Sequence, residues 1–198
     1  MSGAAGPRLG QGLVRSGMLV AALGGLLLAT PVAAHSFRLG LAAPFSGPQA
    51  AAGQQALDGL RLATRERDGH PDETADGHLG GLDSHLLPLD SAGADAEALR
   101  RQAEAMRLDI VTTAAPVQGL ESALGGAPVA FCPPRAGRAL AGPEAAKFAA
   151  AFREAFGYDP TPAAARGYLA GRAVDAAVRA LGDASDKPAL ARFCAAGR

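Results

Sequence analysis

The residues that could bind a small solute stand in three loops, each of which follows a short apolar segment. The loops cover residues 45–48, 113–118 and 132–133. Their hydroxyl, amide and backbone N–H groups make hydrogen bonds, and the carboxyl ends of parallel strands are where α/β proteins bind ligands. The predicted ligand-binding residues are Ser46, Gly47, Thr113, Ala114, Ala115 and Gln118. The alternative is that these positions hold ordinary turn residues, which come with the fold and bind no solute.

No motif for covalent chemistry accompanies these polar residues. The sequence contains no Gly-x-Ser-x-Gly motif, no glycine-rich phosphate loop and no Cys–His spacing with a base beside it. The acidic side chains fall on helix faces that we expect to be solvated. The sequence therefore favours a binding protein that carries no cofactor over an enzyme.

A stretch rich in histidine and carboxylate is the candidate for metal binding. Neutral imidazole and carboxylate are good ligands for transition metals. The three histidines are separated by eight and seven residues, which matches no repeat of metal ligands, and His85 falls in a predicted strand. We therefore expect a solvated loop and no metal site. The residues concerned are His70, His78, His85, Asp72, Glu73, Asp76 and Asp83.

Composition limits the class of partner. The 198 residues carry a formal net charge of +0, aromatic residues make up 5%, and tryptophan is absent. Nucleic-acid binding needs a basic patch and commonly uses aromatic stacking, so a nucleic-acid partner is not expected. The hydrophobic fraction of 48% suits a packed core of one domain, or of two small ones.

The first 34 residues have the layout of a secretory signal peptide. Arg8 and Arg15 precede an apolar run over residues 17–30, and small residues lead to a cleavage position after Ala34. A membrane anchor needs about 20 apolar residues, and this run is shorter and interrupted by glycine. We expect an exported chain that begins at residue 35 and contains no membrane span.

Two cysteines remain in the exported chain, Cys132 and Cys194. An oxidising compartment allows a disulfide between them, which would attach the C-terminal helix to the core. The closed loop of about 60 residues would stabilise the fold by roughly 4 kcal/mol in the chain-entropy model. Two separate buried thiols are the alternative, and the sequence leaves both open.

Strands and helices alternate along residues 37–134. Strands are predicted at 37–41, 85–89, 109–113 and 128–131, with helices at 51–66 and 94–106. Pro88 lacks an N–H group, which restricts its strand to an edge of the sheet. Pro116 is predicted to start the next helix, so that the neighbouring backbone amides would suit a carboxylate.

Three further helices are predicted near the C-terminus. The first begins at Pro143 and carries Phe148, Phe152 and Phe156, the second starts at Pro162 and ends near Gly182, and the third covers residues 188–196. No hairpin signal interrupts the βαβ order, so parallel strands with crossover helices are the economical arrangement. We therefore predict a three-layer α/β fold, αβα, with about four mainly parallel strands in the order 2-1-3-4.

Two long segments resemble the periplasmic solute-binding proteins of the branched-chain amino acid (leucine-binding protein) type, which serve ABC transporters. Residues 37–66, FRLGLAAPFSGPQAAAGQQALDGLRLATRE, are similar to that family's first strand, Pro-x-x-Gly-Pro loop and long helix. Residues 148–180, FAAAFREAFGYDPTPAAARGYLAGRAVDAAVRA, are similar to its closing signature. The positions that match the opening pattern are Pro44, Gly47, Pro48, Gly53, Asp58 and Gly59.

The resemblance implies a single lobe of a type I periplasmic-binding fold. In the family a whole second lobe lies where this chain has about ten residues, between Cys132 and Pro143. Residues 35–198 are then one lobe, with βα repeats over 35–134 and C-terminal helices over 141–198. Hinge closure of two lobes around a ligand is not expected within such a chain. The family's hydroxyl after Gly-Pro-x-x is also missing, because residues 115–119 read APVQG.

The resemblance further implies a non-catalytic, periplasmic component of an ABC importer. Its expected partners are a small organic solute, for which an amino acid is one choice, and the importer's permease. The alternative is a one-lobe interaction module that docks on another periplasmic or membrane protein. In that case the face left open by the missing lobe should be unusually apolar.

Overall fold

The structure is a computed structural model. It describes residues 36–66 and 75–197, together with Met1 and Gly3. Contacts within the chain separate residues 1–31 from residues 32–198, and the elements below belong to the second unit. The predicted signal peptide lies outside the described residues, apart from those two. No helix in the described part of the chain is long and apolar enough to cross a membrane.

The sheet has five strands in the order β2-β3-β1-β4-β5. Strands β3, β1, β4 and β5 pair in parallel, which confirms the predicted order of the four main strands. Each of their connections passes through at least one helix, as parallel pairing requires. The strand bounds are β1 Ser36–Ala43, β2 His78–Leu79, β3 Leu82–Asp90, β4 Ile110–Thr113 and β5 Ala130–Phe131.

The short strand β2 corrects the prediction that the chain contains no hairpin. It pairs antiparallel with β3 through a two-residue turn at Gly80 and Gly81. Both glycines have positive φ, 67° and 89°, as the turns that favour tight hairpins require. The Gly-Gly pair between Leu79 and Leu82 is a local sequence signal for this hairpin.

Pro88 stands where β3 has no partner strand on its outer side. The pairing with β2 involves only Leu82 and Asp83, so the rest of β3 is an edge. The outward N–H of Ser84 donates to the carbonyl of Gly77, and that of Leu86 donates to the Asp76 carboxylate over 2.8 Å. Pro88 is the next outward position and has no N–H to satisfy.

Helices cover both faces of the sheet, which confirms the three-layer arrangement. One face packs against α1, α5 and α6, and the other packs against α2 and α3. Helix α4 lies outside this sandwich and packs its phenylalanines against α1 and α5. The helix bounds are α1 Ala50–Arg65, α2 Ala96–Ala105, α3 Leu120–Leu124, α4 Gly142–Phe156, α5 Pro162–Leu181 and α6 Lys187–Ala196.

Glycines let α1 and α5 approach until their backbones touch. A Cβ atom on Gly59 would lie 1.9 Å from the carbonyl oxygen of Ala164, and one on Gly167 would lie 1.8 Å from that of Ala56. Neither position has room for a larger residue. Gly59 belongs to the motif that carried the family resemblance, and its structural reason is this close helix contact.

A disulfide joins Cys132 to Cys194, which is the first of the two alternatives that the sequence left open. Cys132 follows β5 directly, and Cys194 lies in α6. The two residues are 62 positions apart in the chain. The bond therefore attaches the last helix to the edge strand of the sheet.

Candidate functional site

The loops that follow β1, β3, β4 and β5 lie at the carboxyl edge of the sheet and form two adjacent grooves. The β1–β4 groove has a volume of about 590 Å³ and lies between the loops after β1, β3 and β4. The β4–β5 groove has a volume of about 490 Å³ and lies between the loops after β4 and β5. Both volumes are in the usual range for small-molecule sites. Residues 115–117 line both grooves and separate them.

The predicted ligand residues are divided between the two grooves. Ser46 and Gln118 line the β1–β4 groove, whereas Thr113 and Ala114 line the β4–β5 groove. Ala115 lines both. The predicted set therefore lies along one edge, as the sequence indicated, but forms two cavities where one was expected. A role for these residues in binding stays a prediction.

Gly47 lies beside the β1–β4 groove in a short 3₁₀ turn, Gly47–Gln49, with φ at +68°. This left-handed conformation favours glycine. Gly47 therefore shapes the loop that carries Ser46 rather than lining the cavity.

Asp90 organises the loop after β1, and the sequence analysis did not select it. Its carboxylate accepts the backbone N–H groups of Phe45 over 2.8 Å and of Ala92 over 3.0 Å. The Ser46 hydroxyl is the largest of the causes that lower the pKa of Asp90, followed by these amides. Asp90 therefore fixes the backbone of the loop that carries Ser46.

The β4–β5 groove contains cationic residues that the sequence analysis also missed. Arg166 of α5, together with Arg135 and Arg138 from the loop after β5, lines its wall. The Nε of Arg166 donates to the carbonyl of Ala114 over 2.8 Å, and this bond fixes the guanidinium beside the loop after β4. Nothing local in the sequence indicates the contact, because α5 reaches this edge only through its packing on α1.

The helix that was predicted to start at Pro116 begins at Leu120. Gly119 precedes it with φ at +77°, and the helix is only five residues long. The backbone amides near Pro116 therefore lie in an irregular loop and not at a helix N-terminus. The expectation of a helix dipole at these amides is therefore wrong, and a carboxylate site there stays a prediction.

Within residues 36–66 and 75–197, no group of three or more His, Cys, Asp or Glu side chains is placed to hold a metal ion. The imidazole Nε2 of His78 lies 2.8 Å from the carboxylate of Asp83, its neighbour across the hairpin. His70, Asp72 and Glu73 of the same candidate stretch lie outside the described residues.

No family model matches the chain, and no curated relative matches it. Solved structures do. An ABC transporter substrate-binding protein from Sphaerobacter thermophilus superimposes with a TM-score of 0.55 at 16% identity, covering 80% of this chain and 85% of that one. A solute-binding protein of an ABC transporter from R. palustris, solved in complex with benzoate, superimposes with a TM-score of 0.52 at 14% identity. The alignment covers 81% of this chain and 86% of that one.

The leucine-binding protein LivK from Thermotoga maritima gives a TM-score of 0.50 at 11% identity, covering 80% of this chain and 87% of that one. The chain has the type I periplasmic-binding fold. Its curled, mostly parallel sheet and flanking helices form one lobe of that fold. The fold predicted from residues 37–66 and 148–180 is therefore confirmed.

Proposed function

We propose that this lobe is the solute-binding component of an ABC importer and that it binds a small organic solute, for which an amino acid is one choice, at the carboxyl edge of its sheet. The observation that carries the proposal is the pair of open grooves at that edge, where hydrogen-bonding groups stand beside apolar walls. The structural neighbours named above are solute-binding proteins of ABC transporters, which supports the same role.

The single lobe implies a particular mode of binding. The described residues form one wall of a cleft, so a bound solute keeps part of its surface in water unless a second protein surface covers it. We expect modest affinity for the lobe by itself and a gain in affinity when a permease or a second protein closes over the groove.

The signal peptide proposed for residues 1–34 would direct the lobe to the periplasm. Expression of the full chain in a Gram-negative host, followed by mass spectrometry of the periplasmic fraction, tests this directly. The expected product begins at His35. Recovery of the uncleaved chain from the cytoplasm alone would contradict both the cleavage and the location.

The alternative function, docking on another protein through the open face, receives less support. That hypothesis expects an unusually apolar face. Among residues 36–66 and 75–197 the exposed large apolar side chains are Leu181 and Phe193, and neither lines the β1–β4 or the β4–β5 groove. This distribution favours solute binding over a broad apolar interface.

A thermal-shift screen tests the proposed function. Amino acids and short organic acids are added to the purified lobe, and the melting temperature is measured. A solute that binds the folded lobe raises its free energy of unfolding, by about 2.7 kcal/mol at 100 times the Kd, and therefore raises the melting temperature. Ala115 is exposed and borders both grooves, so Ala115→Trp should abolish the shift. Ala150→Trp, at an exposed position in α4, is the matched control and should retain it.

Two results would contradict solute binding. One is the absence of a shift with every solute of the panel, and the other is a shift that survives Ala115→Trp unchanged. Self-association or capture of one defined periplasmic partner by the same protein would then support the docking function.

A further inference from the structure

We propose that the solute bound in the β4–β5 groove is a small organic anion with an apolar body, held by a pair between its carboxylate and Arg166. This inference rests on the proposed function and adds the chemical class of the solute. The geometry of the two grooves, the hydrogen bond of Arg166 and the lining of the β4–β5 groove carry it.

The two grooves differ in charge. The lining of the β1–β4 groove contains no charged side chain, but the Asp90 carboxylate accepts the N–H of Ala92, which lines this groove. The β4–β5 groove is lined by three arginines and one glutamate, Glu121. An anion is therefore attracted to the β4–β5 groove and repelled by the fixed carboxylate beside the β1–β4 groove.

Arg166 is positioned to meet a carboxylate. A guanidinium carries five N–H donors in a planar fork, and the bond from Nε to Ala114 uses one of them. Within residues 36–66 and 75–197 the two terminal nitrogens of Arg166 make no further hydrogen bond or ion pair. Arg138, in contrast, is held by Glu144 at 2.7 Å. Arg166 therefore offers donors in a fixed orientation at the groove wall, which is the arrangement that carboxylates select.

The rest of the groove suits an apolar group. Phe131, Pro133, Pro134 and Leu169 line it, and the volume of about 490 Å³ is large enough for a ring or a branched chain. An ammonium group would face Arg135 and Arg138 at the same wall, with Glu121 as the one carboxylate of the lining. The site therefore favours an anion without an amine over a zwitterion.

The experiment compares three probes, benzoate, benzamide and leucine, by isothermal titration of the purified full-length lobe. Benzamide keeps the ring of benzoate and removes its charge. Hydrogen bonds to a charged group are roughly twice as strong as neutral ones, so benzoate should bind at least about tenfold more tightly than benzamide. Leucine should also bind more weakly than benzoate.

Two pairs of variants locate the site. Arg166→Gln should weaken benzoate binding about tenfold or more, whereas Arg153→Gln, at an exposed arginine of α4 paired with Asp159, should leave it unchanged. Ala115→Asp places a negative charge at the groove and should weaken benzoate binding. Ala115→Asn adds a side chain of the same size without the charge and should weaken benzoate binding less. Ala115 is exposed, so this second pair remains informative even where Arg166→Gln loses stability.

Equal affinities for benzoate and benzamide would overturn the proposal, as would wild-type affinity in both Arg166→Gln and Ala115→Asp. Binding of leucine without binding of benzoate would overturn the anionic class and leave the proposed function intact. Failure of all three probes together with the whole solute panel would overturn both.

Discussion

The two outer edges of the sheet are protected by different means. At β3 the protecting groups come from the chain just before the strand: the Asp76 carboxylate accepts the N–H of Leu86, and Pro88 has no N–H to expose. At β5 the protection comes from a distant part of the chain, because α6 packs against this two-residue strand and the disulfide joins Cys132 to Cys194 across 62 positions. An open strand edge can pair with another chain, and proteins commonly cover or block such edges.

The difference bears on function because each edge holds one side of the candidate site. The loop after β3 and its Asp90 shape the β1–β4 groove, whereas the loop after Cys132 forms a wall of the β4–β5 groove. An edge held by side-chain hydrogen bonds responds to substitution of their acceptors. A covalently held edge responds to reductant. Substitutions, reductant and acid should therefore affect the β3 edge and the β5 edge differently.

The largest expected effect is at the β5 edge. The double substitution Cys132→Ser with Cys194→Ser removes the disulfide and should lower the free energy of unfolding by about 4 kcal/mol, since the unfolded chain regains the freedom of a 62-residue loop. The midpoint of urea unfolding measures it. Reductant should lower the midpoint of the native chain to a similar value and leave the double variant unaffected. An unchanged midpoint would mean that α6 holds this edge without the disulfide.

The next effect is at the β3 edge. Asp76→Ala leaves the part-buried N–H of Leu86 without its acceptor, which should cost about 0.5–1.5 kcal/mol of stability. Asp159→Ala removes a carboxylate whose side chain is 82% exposed and serves as the matched control, with an expected loss near zero. Equal losses in the two variants would show that Asp76 does not protect the edge.

Acid should affect the two sides differently. The Ser46 hydroxyl and the amides of Ala92 and Phe45 lower the pKa of Asp90 below its ordinary value of 3.8. A carboxyl with a lower pKa in the folded state stabilises the fold above the unfolded pKa, and this contribution is lost as the pH falls through the folded pKa.

The measurement is the unfolding midpoint between pH 2 and pH 7, with Asp90→Asn beside the native chain. We expect Asp90→Asn to have a lower unfolding midpoint than the native chain near neutral pH. The difference between the two midpoints should close below about pH 4. The penalty for removing the disulfide should stay constant over the same range. A gap for Asp90→Asn that is independent of pH would contradict the role given to its charge.

The smallest expected effect on stability is that of Pro88→Thr, which should change the free energy of unfolding by less than about 0.5 kcal/mol because the position is exposed. The substitution adds an outward N–H to the β3 edge, so self-association should rise with concentration in light scattering coupled to gel filtration. Pro88→Lys adds the same N–H with a charge and should stay monomeric. Association of both variants, or of neither, would remove the role assigned to the missing N–H.

Much of the fold could be predicted from the sequence because its signals are local. The spacing of Phe148, Phe152 and Phe156 predicted α4, and Thr161-Pro162 marked the start of α5. The Gly80-Gly81 pair is an equally local signal, for the hairpin between β2 and β3. The start of α3 was wrong because proline at position 116 suits a turn as well as a helix start, and Gly119 takes the left-handed conformation before Leu120.

The candidate site was predictable only in part. The carboxyl-edge loops follow from the order of strands, so the loops that contain Ser46, Thr113 and Gln118 could be selected in advance. That the Asp90 carboxylate would accept the N–H of Phe45 could not, because Asp90 ends a strand 45 positions later and meets that loop only where β1 and β3 pair in register. Arg166 was missed for the same reason.

The sequence by itself determined most of the strands and helices and the loops that end the four main strands, because those properties depend on residue types a few positions apart. It also contained the glycines that let α1 and α5 touch. Only the tertiary structure decided that the loops form two grooves, that Arg166 lines one of them, that Asp90 accepts the N–H of Phe45 in the loop after β1, and that Cys132 bonds to Cys194. These contacts join residues tens of positions apart, and their distances depend on the packing of whole helices against the sheet.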